Sequence, residues 1–350
     1  MRPKNLLNLV GDKLHTLPLM VLYLTDGCNS RCVTCDIWRN PRKNMDMALV
    51  DAIVDECADL GLRWVLLSGG EAMQHPEWDI IAQKFRDIGV YTMLLTNGLL
   101  LRKQIDRVIA SVDEVIVSLD GGNAETYQAI RGVDAFDLII DGMRILREHE
   151  IPVVTRTTIQ KTNFREISQI IEVSKSVDVS RISFLAVDVS NPFAFGQRFE
   201  VDPELVIMPQ LDANALNADD IDELATIIDD VELRFADSFA SGQLSESPDK
   251  LRRILVDYFR AVGGAKDSNY PPPRCNAPHF SVVIEVDGTL RPCYFLPEIG
   301  KLQSDGASLR TAMNGDTALA LRKAYRLGQR KECSRCVCPL YKGPRALLSM

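Results

Sequence analysis

The chain has 350 residues, 40 of them Lys or Arg against 48 Asp or Glu, for a formal net charge of −8. That balance argues against a broad nucleic-acid surface. The 46% hydrophobic and 25% charged content is that of an ordinary globular chain, long enough for two or three domains and without the ~20-residue apolar run of a membrane-spanning helix.

Leu6, Leu7, Val10 and Leu14 fall at helical spacing and predict a short packing helix. They do not form the apolar core of an export signal. Residues 17–24 read as a buried strand, and the run Cys28-Asn29-Ser30-Arg31-Cys32-Val33-Thr34-Cys35 follows it directly. Residues 47–60 form an amphipathic pattern stopped by Gly61. A strand over 64–67 ends in Ser68-Gly69-Gly70-Glu71, and a helix over 77–88 follows. A strand over 91–95 ends in Thr96-Asn97-Gly98, before a helix over 101–110. A strand over 114–119 ends in Asp120-Gly121-Gly122, before a helix over 134–148. A strand over 153–159, a helix over 164–176 and a strand over 181–187 complete the alternation.

Such alternation predicts βαβ units and a parallel sheet. Six units fall short of a closed eight-stranded barrel, so the fold class is α/β, a partial (β/α)6 barrel or open sheet. The polar and glycine-rich motifs all lie where strands end, which is where such folds place their chemistry. The pattern changes after residue 189, with helices over 217–235 and 248–262 between loops rich in Asp, Pro and Ser. Tyr270-Pro271-Pro272-Pro273 then opens a cysteine-bearing module. Strands over 281–285 and 289–293 flank the hairpin turn Asp287-Gly288, and a helix over 317–326 precedes Cys333-Ser334-Arg335-Cys336-Val337-Cys338. The expected domains are an N-terminal extension (1–17), a barrel (18–189), a helical connecting region (190–266) and a small α+β domain (267–350).

Nine cysteines without an export signal suggest metal binding in the cytoplasm rather than a disulfide scaffold. Cys57 lies on the apolar side of a helix and reads as core. Cys28, Cys32 and Cys35 can hold three irons of a four-iron cluster, leaving the fourth iron open to a ligand that is not protein. A closed zinc site needs a fourth ligand; none is near in sequence, and His15 lies beyond the far end of the strand. His75 reads as a helix-entry residue.

The three-cysteine loop after the first strand resembles that of the radical S-adenosylmethionine (SAM) superfamily, and the later motifs follow in that family's order over residues 18–187. The resemblance implies a [4Fe-4S] cluster whose open iron is chelated by SAM. Reduction cleaves the sulfonium to a 5′-deoxyadenosyl radical, which abstracts hydrogen from substrate, the cofactor carrying the hard chemistry. It further implies that Gly69, Gly70 and Glu71 meet the methionine ammonium. Ser118 or Asp120 would contact the ribose, and Arg131 the carboxylate of SAM unless it merely caps a helix. Asn97 reaches the same pocket or serves a turn. Thr158 stands near SAM, and Arg156, on the same strand face, binds SAM or substrate. The family's frequent aromatic residue before the third cysteine is Thr34 here; Trp38 shields the cluster in its place or simply packs.

The spacing from Cys275 through Gly288 to Cys293 resembles the opening of the SPASM auxiliary-cluster module. With few cysteines after it, the shorter Twitch form with one auxiliary [4Fe-4S] cluster is implied, held by Cys275, Cys293, Cys333 and Cys336. Cys338 is an alternative ligand, and a structural zinc the alternative occupant. The expected function is a radical SAM oxidoreductase acting on a small molecule, since no peptide-recognition module precedes the first strand. A peptide-modifying maturase, a SAM-dependent methylase and a non-catalytic electron carrier are the alternatives. The expected partners are the substrate and a reducing protein such as flavodoxin or ferredoxin, with no nucleic acid.

Overall fold

The computed structural model describes residues 4–190, 213–263, 270, 274–302 and 308–349. Strands β1 (Leu19–Thr25), β2 (Trp64–Gly69), β3 (Tyr91–Thr96), β4 (Glu114–Ser118), β5 (Val153–Ile159) and β6 (Arg181–Ala186) lie in sequence order, each parallel to the next. Crossover helices α2 (Met47–Leu60), α3 (Trp78–Asp87), α4 (Ile105–Ser111), α6 (Phe136–Glu148) and α7 (Ile167–Ser176) connect them. Their apolar stripes are buried, Leu49, Ile53, Cys57 and Leu60 on α2 for example. Burying a side chain of this size contributes roughly 1.5–3 kcal/mol. The partial α/β barrel expected from the alternation is therefore present.

Among the short helices that escaped the sequence reading, one lies at the site. α5 (Ala124–Arg131) is eight residues long, with Asn123 accepting from the Thr126 amide as its N-cap and Gly132 in the left-handed conformation at its end. Both caps are ordinary helix signals, but the segment offers too few turns for apolar periodicity to register.

The N-terminal helix α1 is shorter than its spacing suggests, Lys4–Leu7. Leu7 and Val10 are exposed, while Asn5 is buried and donates to the Leu347 carbonyl at 2.8 Å. Leu6 and Leu9 pack against the Leu347 cluster and Leu14 is fully buried, so this segment is held by apolar and polar contacts together, the polar one reaching the C-terminal helix Pro344–Ser349.

The cysteine-bearing module does not stand apart. Its strand β7 (Ser281–Ile284) pairs parallel with β1, and β8 (Thr289–Arg291) and β9 (Gly300–Lys301) continue antiparallel, giving one sheet ordered β6-β5-β4-β3-β2-β1-β7-β8-β9. A partial barrel leaves the backbone of β1 unpaired on one side, and β7 covers that edge. At the other edge residues 243–245 run along β6, with the Ile182 amide donating to the Gln243 carbonyl at 2.7 Å. Fully buried Arg322 ties the module to the N-terminal segment, donating to the carbonyls of Pro278, Asp12 and Met313 at 2.8, 3.1 and 2.7 Å. The 190–266 stretch contains the helix Ala218–Arg234 and a π-turn over Arg253–Asp257. Residues 191–212, the expected boundary near 266 and the prolines at 271–273 lie outside the described residues.

Candidate cluster and cofactor site

The triad loop leaves the end of β1 and is docked against the C-terminus of α5. The amides of Arg31 and Val33 donate to the carbonyls of Arg131 and Ile130 at 3.1 and 2.9 Å. The buried Ser30 hydroxyl donates to the Arg131 carbonyl at 2.8 Å and lies 3.3 Å from the Cys32 sulfur. Gly132 is needed for this approach, since a Cβ there would stand 2.7 Å from the Arg31 carbonyl oxygen. Cys32 is close enough to raise the pKa of Cys28, and Cys32 and Cys28 that of Cys35. Burial is the larger cause, pushing Cys28 up to about 11 and Cys35 up to about 12.

The end of β2 packs on the same loop. The Gly70 amide donates to the Thr25 carbonyl at 2.7 Å and the Glu71 amide to the Gly27 carbonyl at 2.8 Å. A Cβ on Gly69 or Gly70 would meet Thr25 O at 2.4 Å or Gly27 O at 2.3 Å. In this chain the glycine pair lets two protein backbones touch. Glu71 is 1% exposed and its carboxylate accepts from the Asn97 amide (2.7 Å), the Thr96 hydroxyl (2.9 Å) and the Met73 amide (3.2 Å). Burial raises its pKa, and these three donors oppose the rise. Glu71 thereby locks the end of β2 to the end of β3. There Asn97 Nδ2 donates to Asn29 Oδ1 at 2.8 Å and sits 3.8 Å from the Cys28 sulfur.

Asp120 and Thr158 bring in β4 and β5. Asp120 Oδ1 accepts from the Thr158 amide at 2.7 Å, and its Oδ2 pairs with Arg131 Nη2 at 2.6 Å. Arg131 Nη1 also reaches the Cys32 sulfur at 3.6 Å. Burial works against the guanidinium charge, but Asp120 and Cys32 outweigh it. Arg131 Nε is buried without a hydrogen-bond partner among the described residues, a donor left over for a ligand oxygen. Ser118 lies in register with Arg156, farther down the strands. Arg156 itself reaches the Cys338 sulfur.

The auxiliary thiols gather in the second module. Cys293 feels Cys333 and Cys275, and Cys336 feels Cys338, Cys275 and Cys293, although burial is the main reason that both are raised. One hydrogen-bond pattern recurs. The Ser30 amide donates to the Cys28 sulfur and the Ala277 amide to Cys275, both at 3.5 Å. The amides of Ile37, Phe295 and Cys338 serve Cys35, Cys293 and Cys336 in the same way. Each is an N–H two residues on, aimed at a sulfur. Cys57 is the contrast: its thiol donates to the Ile53 carbonyl at 3.0 Å, as a packed core cysteine does. Sulfurs that accept amide hydrogen bonds suit thiolate ligands of iron, whose properties such bonds tune. Among the described residues no three His, Cys, Asp or Glu side chains converge on a single ion. Thiolates that each bind a different iron need not do so. The donor set thus fits iron–sulfur clusters.

His75 enters the helix as expected, its Nδ1 accepting from the Glu77 amide at 3.1 Å. Ser30 and α5 were missed as parts of the site. The only sequence signals for them were the Asn123 and Gly132 caps.

A rim of parallel strands carrying a three-cysteine loop, with a second thiol group on a joined module, is the arrangement of an iron–sulfur protein. Residues 22–173 match the radical SAM superfamily and residues 275–337 match SPASM, an iron–sulfur cluster-binding domain. The chain thus carries a radical SAM domain followed by a SPASM-type domain. The first domain implies a [4Fe-4S] cluster with SAM, and the second auxiliary iron–sulfur clusters. It is 34% identical over 165 residues to the AdoMet-dependent heme synthase of Methanosarcina barkeri, covering 45% of this chain and 47% of that protein. It is 31% identical over 188 residues to the Fe-coproporphyrin III synthase of the same organism, covering 52% and 46%. The matches thus span about half the length of these relatives. In fold it resembles Streptococcus suis SuiB bound to its precursor peptide SuiA, with TM-score 0.65 and 15% identity over 97% of this chain and 75% of that one. It also resembles anSMEcpe with bound AdoMet, with TM-score 0.62 and 14% identity over 92% and 89%. No described helix is long and apolar enough to cross a membrane.

Proposed function

We propose that this protein reductively cleaves SAM and uses the resulting 5′-deoxyadenosyl radical to abstract hydrogen from a small organic substrate. Cys28, Cys32 and Cys35 would hold a [4Fe-4S] cluster, which with SAM would supply that radical chemistry. The residues of this chain position and seal the site. The Ser30 amide, Asn97 and Arg131 surround the triad sulfurs with donors. Arg131, held by Asp120, keeps the free Nε donor suited to the SAM carboxylate. Glu71 fixes the loop ends, and the backbones at Gly69 and Gly70 are the nearer candidates for the SAM ammonium. One auxiliary cluster on Cys275, Cys293, Cys333 and Cys336 would exchange an electron with the substrate radical or contact substrate.

The observation that carries this reading is the triad loop with its convergent donors from the ends of β3 and α5. A small-molecule substrate is supported by the identity to enzymes named for making heme and Fe-coproporphyrin III. Anaerobically reconstituted protein, reduced and mixed with SAM, should release 5′-deoxyadenosine. Release of none, from protein with full iron content, would refute the proposal.

A further inference from the structure

Arg156 carries a polar contact from the barrel to the cysteines of the auxiliary module. It lies in mid-β5, in register with Ser118 on β4 and Ser183 on β6. Strand alternation turns it away from Thr155, whose hydroxyl meets Ser174 of α7 at 3.1 Å on the helix side of the sheet. It therefore faces the barrel interior. Its Nη1 donates to Ser183 Oγ at 3.3 Å and its Nη2 to the Cys338 sulfur at 3.2 Å. Ser183 in turn donates to buried Glu246 Oε1 at 3.1 Å. A polar chain thus runs from the β6 edge through the barrel wall to the last cysteine. Cys338 continues it, because its backbone amide serves the Cys336 sulfur.

We propose that Arg156 is a positioning residue for the auxiliary centre, holding Cys338 against it and raising its reduction potential. A guanidinium is always charged, and its planar fork can hold two acceptors at once. A fixed positive charge beside the cluster, together with the amide hydrogen bond that the held Cys338 gives the Cys336 sulfur, favours the reduced, more negative cluster. Glu246 and Ser183 keep the fork aimed. The inference rests on the auxiliary cluster proposed above.

The test is a potentiometric titration of the full, anaerobically reconstituted chain, followed by electron paramagnetic resonance. In Arg156→Gln the auxiliary signal should move to lower potential. The reduced-to-oxidised ratio at fixed potential should fall about tenfold (about 59 mV for one electron). Iron content and the SAM-responsive signal should stay as in the wild type, and Arg156→Lys should give a smaller shift. In a Cys338→Ser background, Arg156→Gln should add no further shift. An unshifted auxiliary potential in Arg156→Gln overturns the proposal, as does an equal shift in the Cys338→Ser background. Loss of the auxiliary cluster in the Gln variant, alone or together with the Lys variant, also overturns it, because a residue that only tunes the centre leaves the iron in place. A wild-type chain with iron for one cluster alone removes the auxiliary reading itself, and the iron count identifies that case.

Discussion

Asp120 and Arg131 meet across 2.6 Å, Oδ2 to Nη2, with both side chains almost wholly buried. The pair joins the end of β4 to the end of α5, and Arg131 extends from it to the Cys32 sulfur. Removing one partner of a buried pair strands the other charge and costs about 3–5 kcal/mol. Asp120→Ala should therefore lower the urea midpoint of the barrel strongly and weaken SAM binding. Asp120→Asn, which can still accept the Thr158 amide, should cost less. A denaturation curve for Asp120→Ala that overlays the wild type would contradict this role.

Gly70 should tolerate no side chain. Its Cβ would stand 2.3 Å from the Gly27 carbonyl oxygen and 2.7 Å from its carbon, both backbone atoms that cannot swing away. Gly70→Ala should displace the loop before Cys28. Reconstituted protein should keep the auxiliary iron, lose most of the triad iron and form no 5′-deoxyadenosine. Iron and sulfide counts check this; full occupancy of the triad would count against it.

Much of this was legible in the sequence because it is local. The alternation of strand and helix patterns pointed to the parallel sheet, cysteine spacing to the two thiol groups, and Asp287-Gly288 to the hairpin. Cys57 and His75 sit as their neighbours in sequence suggest. What was hidden depends on distant chain. Nothing near Ser281 says that β7 will cover the edge of β1. Nothing near Glu71 says that Thr96 and Asn97 will enclose its carboxylate. Arg156 and Cys338 are 182 residues apart, and only the closure of the auxiliary module on the barrel brings them together.

The two centres should be separable by mutation. Cys32→Ala should abolish SAM cleavage and leave the auxiliary iron in place. Cys333→Ala should spare 5′-deoxyadenosine formation and reduce product formation by tenfold or more, within the ~10–100-fold range seen when metal sites are perturbed. Paired iron counts and product assays decide it. Loss of all iron in Cys32→Ala would show that the centres are not independent.

The auxiliary module should loosen in acid. Burial, aided by Arg322 and Arg326, lowers His279 from 6.5 to about 4. The unfolded chain therefore binds a proton at a higher pH than the folded one does. Stability from keeping this ring neutral is complete above pH 6.5 and falls as pH drops from there to about 4. The loss is on the order of 3 kcal/mol. The ring packs on Tyr325, centroids 5.8 Å apart, and the Tyr325 hydroxyl donates to the Cys275 carbonyl at 2.7 Å. His279→Phe should flatten this part of the stability-pH curve. An unchanged acid slope in that variant would place the sensitivity elsewhere.

The claim beneath the whole account is that the triad leaves one iron free for SAM. Electron–nuclear double resonance of the reduced protein with SAM carrying a labelled amino nitrogen measures that directly. The account predicts a hyperfine coupling from that nitrogen to the cluster, retained in Cys333→Ala and absent in Cys32→Ala. A reduced cluster that shows no such coupling at saturating SAM, or a zinc ion held by Cys28, Cys32 and Cys35, would contradict it.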